Sequence, residues 1–253
     1  MNVECDLRRK KRDSENMLVN ASNLKLGIFY TLAIRQRHLA TFRKFRQFYK
    51  EFWFPSPAPP PYNHICQIGD PVLRHNADRL NPDDIKSKEI IRILKIMRDV
   101  MHRYGSVGLA APQIGVPLRI FAIEITEKIL QTFTPDICRS REITVVPYKV
   151  FINPELKIVN YEKVQFPEAC ESVRGFSADV ARYKEVLVTG LNDEGEPVSW
   201  QVSGWPARIV QHEMDHLSGR LYTDIMVRSS FTCTCWEQVN RTGGRIYVPF
   251  VPK

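Results

Sequence analysis

The chain has 253 residues, 43% apolar and 25% charged, with a formal net charge of +8. That usage excludes collagen-like, coiled-coil and wholly disordered chains and leaves room for one large globular domain. The charge is uneven: residues 1–50 carry 12 Lys/Arg against 4 Asp/Glu, so the remaining 203 are balanced at 24 of each.

The N-terminal apolar run Leu26–Ile34 is nine residues long, short of the roughly 20 needed to cross a bilayer. From Met17 to Lys50 there is no acid, while Lys25, Arg35, Arg37, Arg43, Lys44, Arg46 and Lys50 alternate with Leu, Ile and Phe. This composition predicts an organelle transit segment over 1–50 rather than a secretory signal, since no small-residue cleavage site follows the apolar run. All four acids of the segment lie in residues 1–16, which suggests Met17 as a second start. Five of the seven residues Pro55–Pro61 are proline, giving an extended, semi-rigid linker over 51–62.

The folded part begins with a helix predicted over Asp83–Tyr104, because Ile90, Leu94, Met97, Met101 and Tyr104 recur at helical spacing and Gly105 follows as a stop. Strands are predicted at Arg119–Ile125, Thr144–Ile152, Leu156–Val164 and Glu185–Leu191, the last turning through Asn192-Asp193-Glu194-Gly195 into Val198–Val202. A second helix starts near Trp205, tolerates Pro206 in its first turn and ends at Gly219. Helix, strands, helix is an α+β order, with antiparallel or mixed sheets packed around the second helix.

That helix carries His212-Glu213-Met214-Asp215-His216. Spacing of four puts both imidazoles on one face, one turn apart, while Glu213 stands about 100° around the axis, placed to handle a proton without ligating. Two imidazoles are half of a catalytic metal site, and a third ligand must come from elsewhere. Downstream, Glu237 is the only carboxylate after Asp224; upstream, Cys170 sits in the polar segment Pro167-Glu168-Ala169-Cys170-Glu171-Ser172. A thiolate suits a borderline metal. Cys5, Cys66 and Cys138 stand alone, and Cys233-Thr234-Cys235 is too closely spaced for an easy disulfide, so these read as free thiols.

Between the first helix and the next strand lies Gly108-Leu109-Ala110-Ala111-Pro112-Gln113-Ile114-Gly115. Its small residues let a ligand approach the backbone, and Gln113 offers an amide N–H to a developing oxyanion. Trp205 and Ile209 share the face of His212 and His216, which places them as walls of an apolar pocket. Val210, Met214, Leu217 and Leu221 form a second stripe that reads as core.

GLAAPQIG, EACES and QHEMDH, in this order and spacing, resemble the three motifs of peptide deformylases, and the likeness runs from about His64 to Val227. Glu171, Trp205 and the leader are similar to the mitochondrial animal branch. The resemblance implies a catalytic domain over 63–228 followed by a tail over 229–253. It further implies metal ligation by Cys170, His212 and His216, Glu213 as general base, and Gln113 with the backbone N–H of Glu171 holding the oxyanion. Gly108, Trp205 and Ile209 fall in the substrate cleft. It implies Fe²⁺ as the native ion, with Zn²⁺, Co²⁺ or Ni²⁺ able to occupy the site. The reaction implied is removal of the formyl group from N-formylmethionyl nascent peptides, at the mitochondrial ribosome in the matrix, with no nucleic-acid or membrane partner for the catalytic domain. A zinc-dependent peptidase and a peptide-binding module with little turnover are the alternatives. Ser106 and Ala169 replace glycines usual in the family motifs, a cost of about 1 kcal/mol or more if either position demands a positive φ.

Overall fold

The structure, a computed structural model, describes residues 59–252. The basic leader over 1–50 and most of the proline-rich linker lie outside the described residues. Helix α1 (Lys88–Tyr104) follows a short 3-10 turn at Pro82–Asp84, so the helix predicted from Asp83 starts five residues later. Ser87 explains the difference: its side chain accepts from the Ile90 amide and caps the helix there. Gly105 ends α1 at φ 65, the left-handed conformation that spares glycine a Cβ clash.

Strand β1 (Gly108–Ala110) and a 3-10 turn (Ala111–Ile114) lead into β2 (Ile120–Ile125). Two short helices not expected from the sequence, α2 (Glu127–Leu130) and α3 (Pro135–Arg141), are capped by the Thr126 and Thr134 hydroxyls. Then come β3 (Val146–Ala169), β4 (Phe176–Leu191) and β5 (Pro197–Ser203), helix α4 (Gly204–Leu217), the two-residue β6 (Thr232–Cys233) and helix α5 (Trp236–Arg241). The sheet runs β1-β2-β3-β4-β5, every neighbour antiparallel, and β6 pairs with the start of β4. Of the antiparallel and mixed alternatives, the antiparallel one holds.

The two strands predicted at Thr144–Ile152 and Leu156–Val164 are one continuous strand, β3, bent by register shifts after Ile152 and Ile158. Prolines 154 and 167 do not break it. Beyond Ile152, β3 pairs with β4 alone among the named strands, and an edge position loses no ladder bond to a missing N–H. The segment Gly108–Ala110, expected as part of a turn, is a strand because Leu109 and Ala110 are both fully buried on β2.

The centre of the sheet is apolar on both faces. Ile120 and Ala122 of β2, with Val150 and Ile152 of β3, pack against Ile90, Ile93, Met97 and Met101 of α1. The alternating residues Phe121, Ile123 and Phe151 face Ala207, Ile209, Val210 and Leu217 of α4. A strand buried on both faces reads as a continuous apolar run, which is how Ile120–Ile125 is written. Val210 and Leu217 are core as expected, with Leu221 in a smaller cluster beneath the chain leaving α4. Among the described residues no helix is long and apolar enough to cross a membrane.

Neither Ser106 nor Ala169 takes a positive φ; among the described residues only Glu142 and Asn153 do so without being glycine. The missing glycines therefore carry no backbone strain. Asn153, at φ 51, uses its side chain to accept from the Leu80 amide at 2.8 Å and donate to the Leu80 carbonyl at 2.7 Å. Asn153→Ala should cost about 3 kcal/mol, from two hydrogen bonds of about 1 kcal/mol each and the left-handed penalty of about 1 kcal/mol. Asn153→Gly should recover only the last part, which denaturant midpoints will resolve.

Candidate metal centre

Helix α4, which carries the site, packs on β4, β1, β2 and β5. The two histidines face the end of β3, where the chain leaves the sheet at Cys170. Cys170 Sγ lies 3.3 Å from His216 Nε2, and the candidate ligand atoms of Cys170, His212 and His216 all lie within 4.8 Å of one another. Cys170 is not in a polar connection with little core around it, as its sequence neighbours suggest. It is buried against Val173, Ala178, Val180, Leu221 and Tyr222. Glu237, the other candidate third ligand, sits on α5 paired with Arg241 at 3.2 Å and takes no part.

The His212 ring is aimed by its neighbours, whereas the buried His216 Nδ1 has no hydrogen-bond partner among the described residues. His212 Nδ1 meets Glu168 Oε2 at 3.0 Å, which commits that nitrogen and leaves Nε2 for the ligand position. The Tyr222 ring stacks on the His212 ring at 6.4 Å, and the Tyr222 hydroxyl donates to the Phe176 carbonyl at 3.1 Å. Burial alone would lower the His212 pKa, but hydrogen bonds with Cys170 and Glu168 raise it well above the ordinary imidazole value. Burial, with His212 beside it, pushes the His216 pKa well below that value; a metal takes both imidazoles in their neutral form, so its binding displaces the proton that the His212 ring otherwise holds.

Glu168 is the residue that sequence reasoning missed. It is buried, and its carboxylate accepts from Arg182 Nε at 2.9 Å, Arg182 Nη2 at 3.0 Å and Arg208 Nη1 at 2.8 Å, besides meeting His212. Arg182 also reaches Asp215 at 2.5 Å, and Arg208 donates to the Val180 carbonyl at 2.8 Å. Burial by itself would raise the Glu168 pKa, yet the His212 and Arg182 hydrogen bonds hold it far below the carboxylate range. Two guanidiniums and two carboxylates balance in the interior, as buried charges must. With β4 in view a signal exists for Arg182, which stands in the buried alternation of Ala178, Val180, Val186 and Val188.

Glu213 is buried, and its Oε2 has no hydrogen-bond partner. Burial pushes its carboxyl up to about 7 against the lowering effect of His212. An orphaned buried carboxylate oxygen beside three convergent soft and borderline ligand atoms fits a metal with a coordinated water, and a thiolate with two imidazoles is a catalytic donor set with room for a fourth ligand. Gln113 Nε2 points at Cys170 Sγ, 3.6 Å away, and at Ser172 Oγ, 3.2 Å away, while its Oε1 accepts from the Ala110 amide at 2.8 Å. The amide is thus fixed with its donor toward the centre.

A cavity of about 380 Å³ opens over this arrangement. Of the predicted site residues, Gly108, Gln113, Cys170, Glu171, Trp205, Ile209, His212 and Glu213 line it, and His216 closes the centre from behind. Gly108 is required by close approach: a Cβ there would stand 2.8 Å from Ile209 Cγ2 and 2.9 Å from Glu213 Cδ. Trp205 meets Phe166 edge-on at 6.2 Å, with the Arg141 guanidinium 5.1 Å over its ring, which fixes it as a wall. At the mouth, the Glu171 side chain pairs with Arg174 at 3.1 Å; burial raises its pKa despite that partner. The pairing turns the carboxylate to Arg174 and leaves only its backbone for the centre.

A family model described as polypeptide deformylase matches residues 62–231. The chain belongs to the polypeptide deformylase family. It is 44% identical over 184 residues to "Peptide deformylase, mitochondrial" of Homo sapiens, spanning 73% of this chain and 76% of that one. It is 45% identical over 167 residues to "Peptide deformylase 1A, chloroplastic/mitochondrial" of Arabidopsis thaliana, spanning 66% and 62%. Among solved structures, the K2U-bound class I type b peptide deformylase from Acinetobacter baumannii superposes with a TM-score of 0.58 at 27% identity, over 67% of this chain and 100% of that one. The peptide deformylase from Thermotoga maritima gives 0.55 at 29% identity, over 65% and 97%. Peptide deformylases are metalloenzymes, and the cluster of Cys170, His212 and His216 gives this member of the family a matching donor set.

Replacing Glu168 by Ala strands Arg182 and Arg208 and frees the His212 ring, so the deformylase should lose about 3–5 kcal/mol of stability. Glu168→Gln, which keeps the volume, should bind metal about 10- to 100-fold more weakly at a smaller loss of stability. Denaturant titration and competition with a metal chelator will separate the two effects. Gly108→Ala should leave the melting temperature within a few degrees while cutting turnover at least tenfold, because the Cβ displaces the Glu213 carboxylate.

Proposed function

We propose that this deformylase uses Cys170, His212 and His216 to hold one divalent metal ion, and Glu213 to move protons, in removing the formyl group from the N-terminal formylmethionine of nascent polypeptides. The observation that carries the residue assignment is the convergence of the three ligand atoms within 4.8 Å beside the unpartnered Glu213 carboxylate. A divalent ion bound there supplies a Lewis acid that brings the pKa of coordinated water toward neutrality.

Glu213 accepts the proton of the attacking water and returns one to the amine nitrogen as the C–N bond breaks, so that formate and a free α-amine leave. The elevated affinity of its buried carboxylate for a proton suits both halves of that task. The carbonyl oxygen becomes negative as the carbon turns tetrahedral. The Gln113 amide and the backbone N–H of Glu171 donate to it. Trp205 and Ile209 take the methionine side chain, and the bare backbone of Gly108 lets the peptide lie close to Glu213.

Fe²⁺ is the ion we assign, as the family resemblance implies, with Zn²⁺ or Co²⁺ as substitutes that one thiolate and two imidazoles also suit. Substrate is peptide made inside the organelle. Support comes from the acid-free basic stretch Met17–Lys50 and from mitochondrial relatives of the catalytic domain, and the same reading makes 1–50 a transit segment imported into the matrix. Residues 51–62 are then a linker, 63–228 the catalytic domain and 229–253 a tail.

Formate release from a formyl-Met tripeptide, with protein loaded anaerobically with Fe²⁺ or Co²⁺, tests the assignment. Glu213→Ala should lower turnover by about 10²- to 10⁴-fold while retaining one metal per chain. If turnover survives that change, Glu213 is not the base. Cys170→Ala should abolish tight metal binding, whereas a peptidase with another third ligand would keep it. Ile209→Ala should raise KM for formyl-Met substrates severalfold with kcat nearly unchanged; an unaltered KM removes Ile209 from the pocket wall.

A further inference from the structure

Outside the metal centre, the one pair of nucleophilic side chains in contact among the described residues is Cys233 and Cys235. Their sulfurs lie 3.3 Å apart. Cys233 ends β6 and Cys235 caps α5, so the chain turns between them and brings both side chains to one side. The pair is built into the rim of the cavity over the metal centre. Cys233 is in register with Phe176, and the Phe176 ring stacks on Phe231 at 5.1 Å. Thr234, the residue between the sulfurs, donates its amide to the Gly175 carbonyl at 2.9 Å and its hydroxyl to the same oxygen at 3.2 Å. Gly175, Phe176 and Thr234 all line the cavity.

We propose that Cys233 and Cys235 form a modification site, a dithiol that exchanges with low-molecular-weight disulfides of the glutathione type to give a reversible Cys233–Cys235 disulfide. The Cys233 thiolate attacks one sulfur of the small disulfide, whose S–S bond breaks and releases one thiolate, leaving a mixed disulfide on Cys233. Cys235 then loses its proton and attacks the Cys233 sulfur, forming the intrachain bond and expelling the second small thiolate. Two cysteine thiols are oxidised, one small disulfide is reduced to two thiols, and the two protons pass to the released thiolates. Closure needs the sulfurs to approach from 3.3 Å to about 2.05 Å, a movement confined to one rim residue and its neighbours. A hydrogen bond joins the two thiols and raises the Cys235 pKa.

The remaining described cysteines lack these features. Burial and the neighbouring Asp70 push the Cys66 thiol up to about 12. Cys138 has no sulfur partner, its thiol lying against the Leu130 carbonyl, and Cys170 belongs to the metal centre. The close pair is free and unlinked, as its short spacing suggests in the sequence, and differs from the other described cysteines in the contact between its sulfurs.

The test is a redox titration of the metal-loaded full chain in glutathione buffers of increasing disulfide content, followed by acid quenching, alkylation and mass analysis of the tryptic peptide Ser229–Arg241. The expected result is a peptide lighter by two hydrogens that carries no alkyl group, accumulates to completion at a defined ratio of reduced to oxidised glutathione, and returns to two alkylated cysteines with excess thiol. Cys66 and Cys138 should remain alkylatable throughout. Cys235→Ser should stop at a glutathione adduct on Cys233. A wild-type peptide alkylated at both sulfurs at every ratio, or one that accumulates a glutathione adduct without the intrachain bond, overturns the proposal. The wild-type titration decides this without relying on any variant to fold, and its outcome does not depend on the assignment of the metal ligands.

Discussion

The Glu168 carboxylate is the point on which the centre turns. Two guanidiniums and one imidazole share its two oxygens inside the protein. Such a cluster is a poor source of net stability, because desolvating the charges costs about as much as their attraction returns. What it supplies is orientation: Arg182 and Arg208 leave Glu168 no other position, and Glu168 leaves the His212 ring no other tautomer or rotation. Removing it would therefore damage geometry and folding together, whereas removing Glu213 or Gln113 would, in the roles proposed for them, damage chemistry with much of the packing intact.

The fold makes this arrangement inexpensive to assemble. Glu168 and Cys170 lie two residues apart where β3 leaves the sheet, so one strand end delivers a ligand and the support of a different ligand. Arg182 comes from β4, whose pairing with β3 extends through Ala169. Arg208, His212, Asp215 and His216 come from α4 at spacings of four, three and one, the first three along the edge of the helix that meets those strands. The apolar sheet centre beneath, Phe121, Ile123 and Phe151 against Ile209 and Val210, sets the depth of α4. Gly108 then allows the carboxylate of Glu213 to lie directly on the β1 backbone.

Much of the site could be read from the chain because its parts are local. Two histidines four apart on an amphipathic helix, a cysteine among polar neighbours and an amide bracketed by small residues each announce themselves within a few positions. The network behind them could not be read so directly, because Glu168, Arg182, Arg208 and Asp215 are spread over 48 positions and meet only when β3, β4 and α4 pack. The elements show the same division. Helices α1 and α4 carry strong 3.6-residue patterns, and they stand where the pattern puts them apart from the later start that the Ser87 cap gives α1. The long β3–β4 hairpin is masked by Pro154 and Pro167, which are tolerated because that part of β3 lies at a sheet edge. Strand β1 is too short, and too rich in Gly and Ala, to signal a strand by alternation.

The most direct test of the central claim is X-ray absorption at the metal edge of the Fe²⁺- or Co²⁺-loaded protein, compared with the same measurement on Glu168→Gln. One sulfur and two imidazole nitrogens are expected in the first coordination shell of the wild type. In Glu168→Gln one of the two imidazole contributions is expected to be weakened or disordered while the sulfur is retained. A shell without sulfur would contradict the ligand set, and a shell unchanged by Glu168→Gln would contradict the claim that this carboxylate holds the centre in shape.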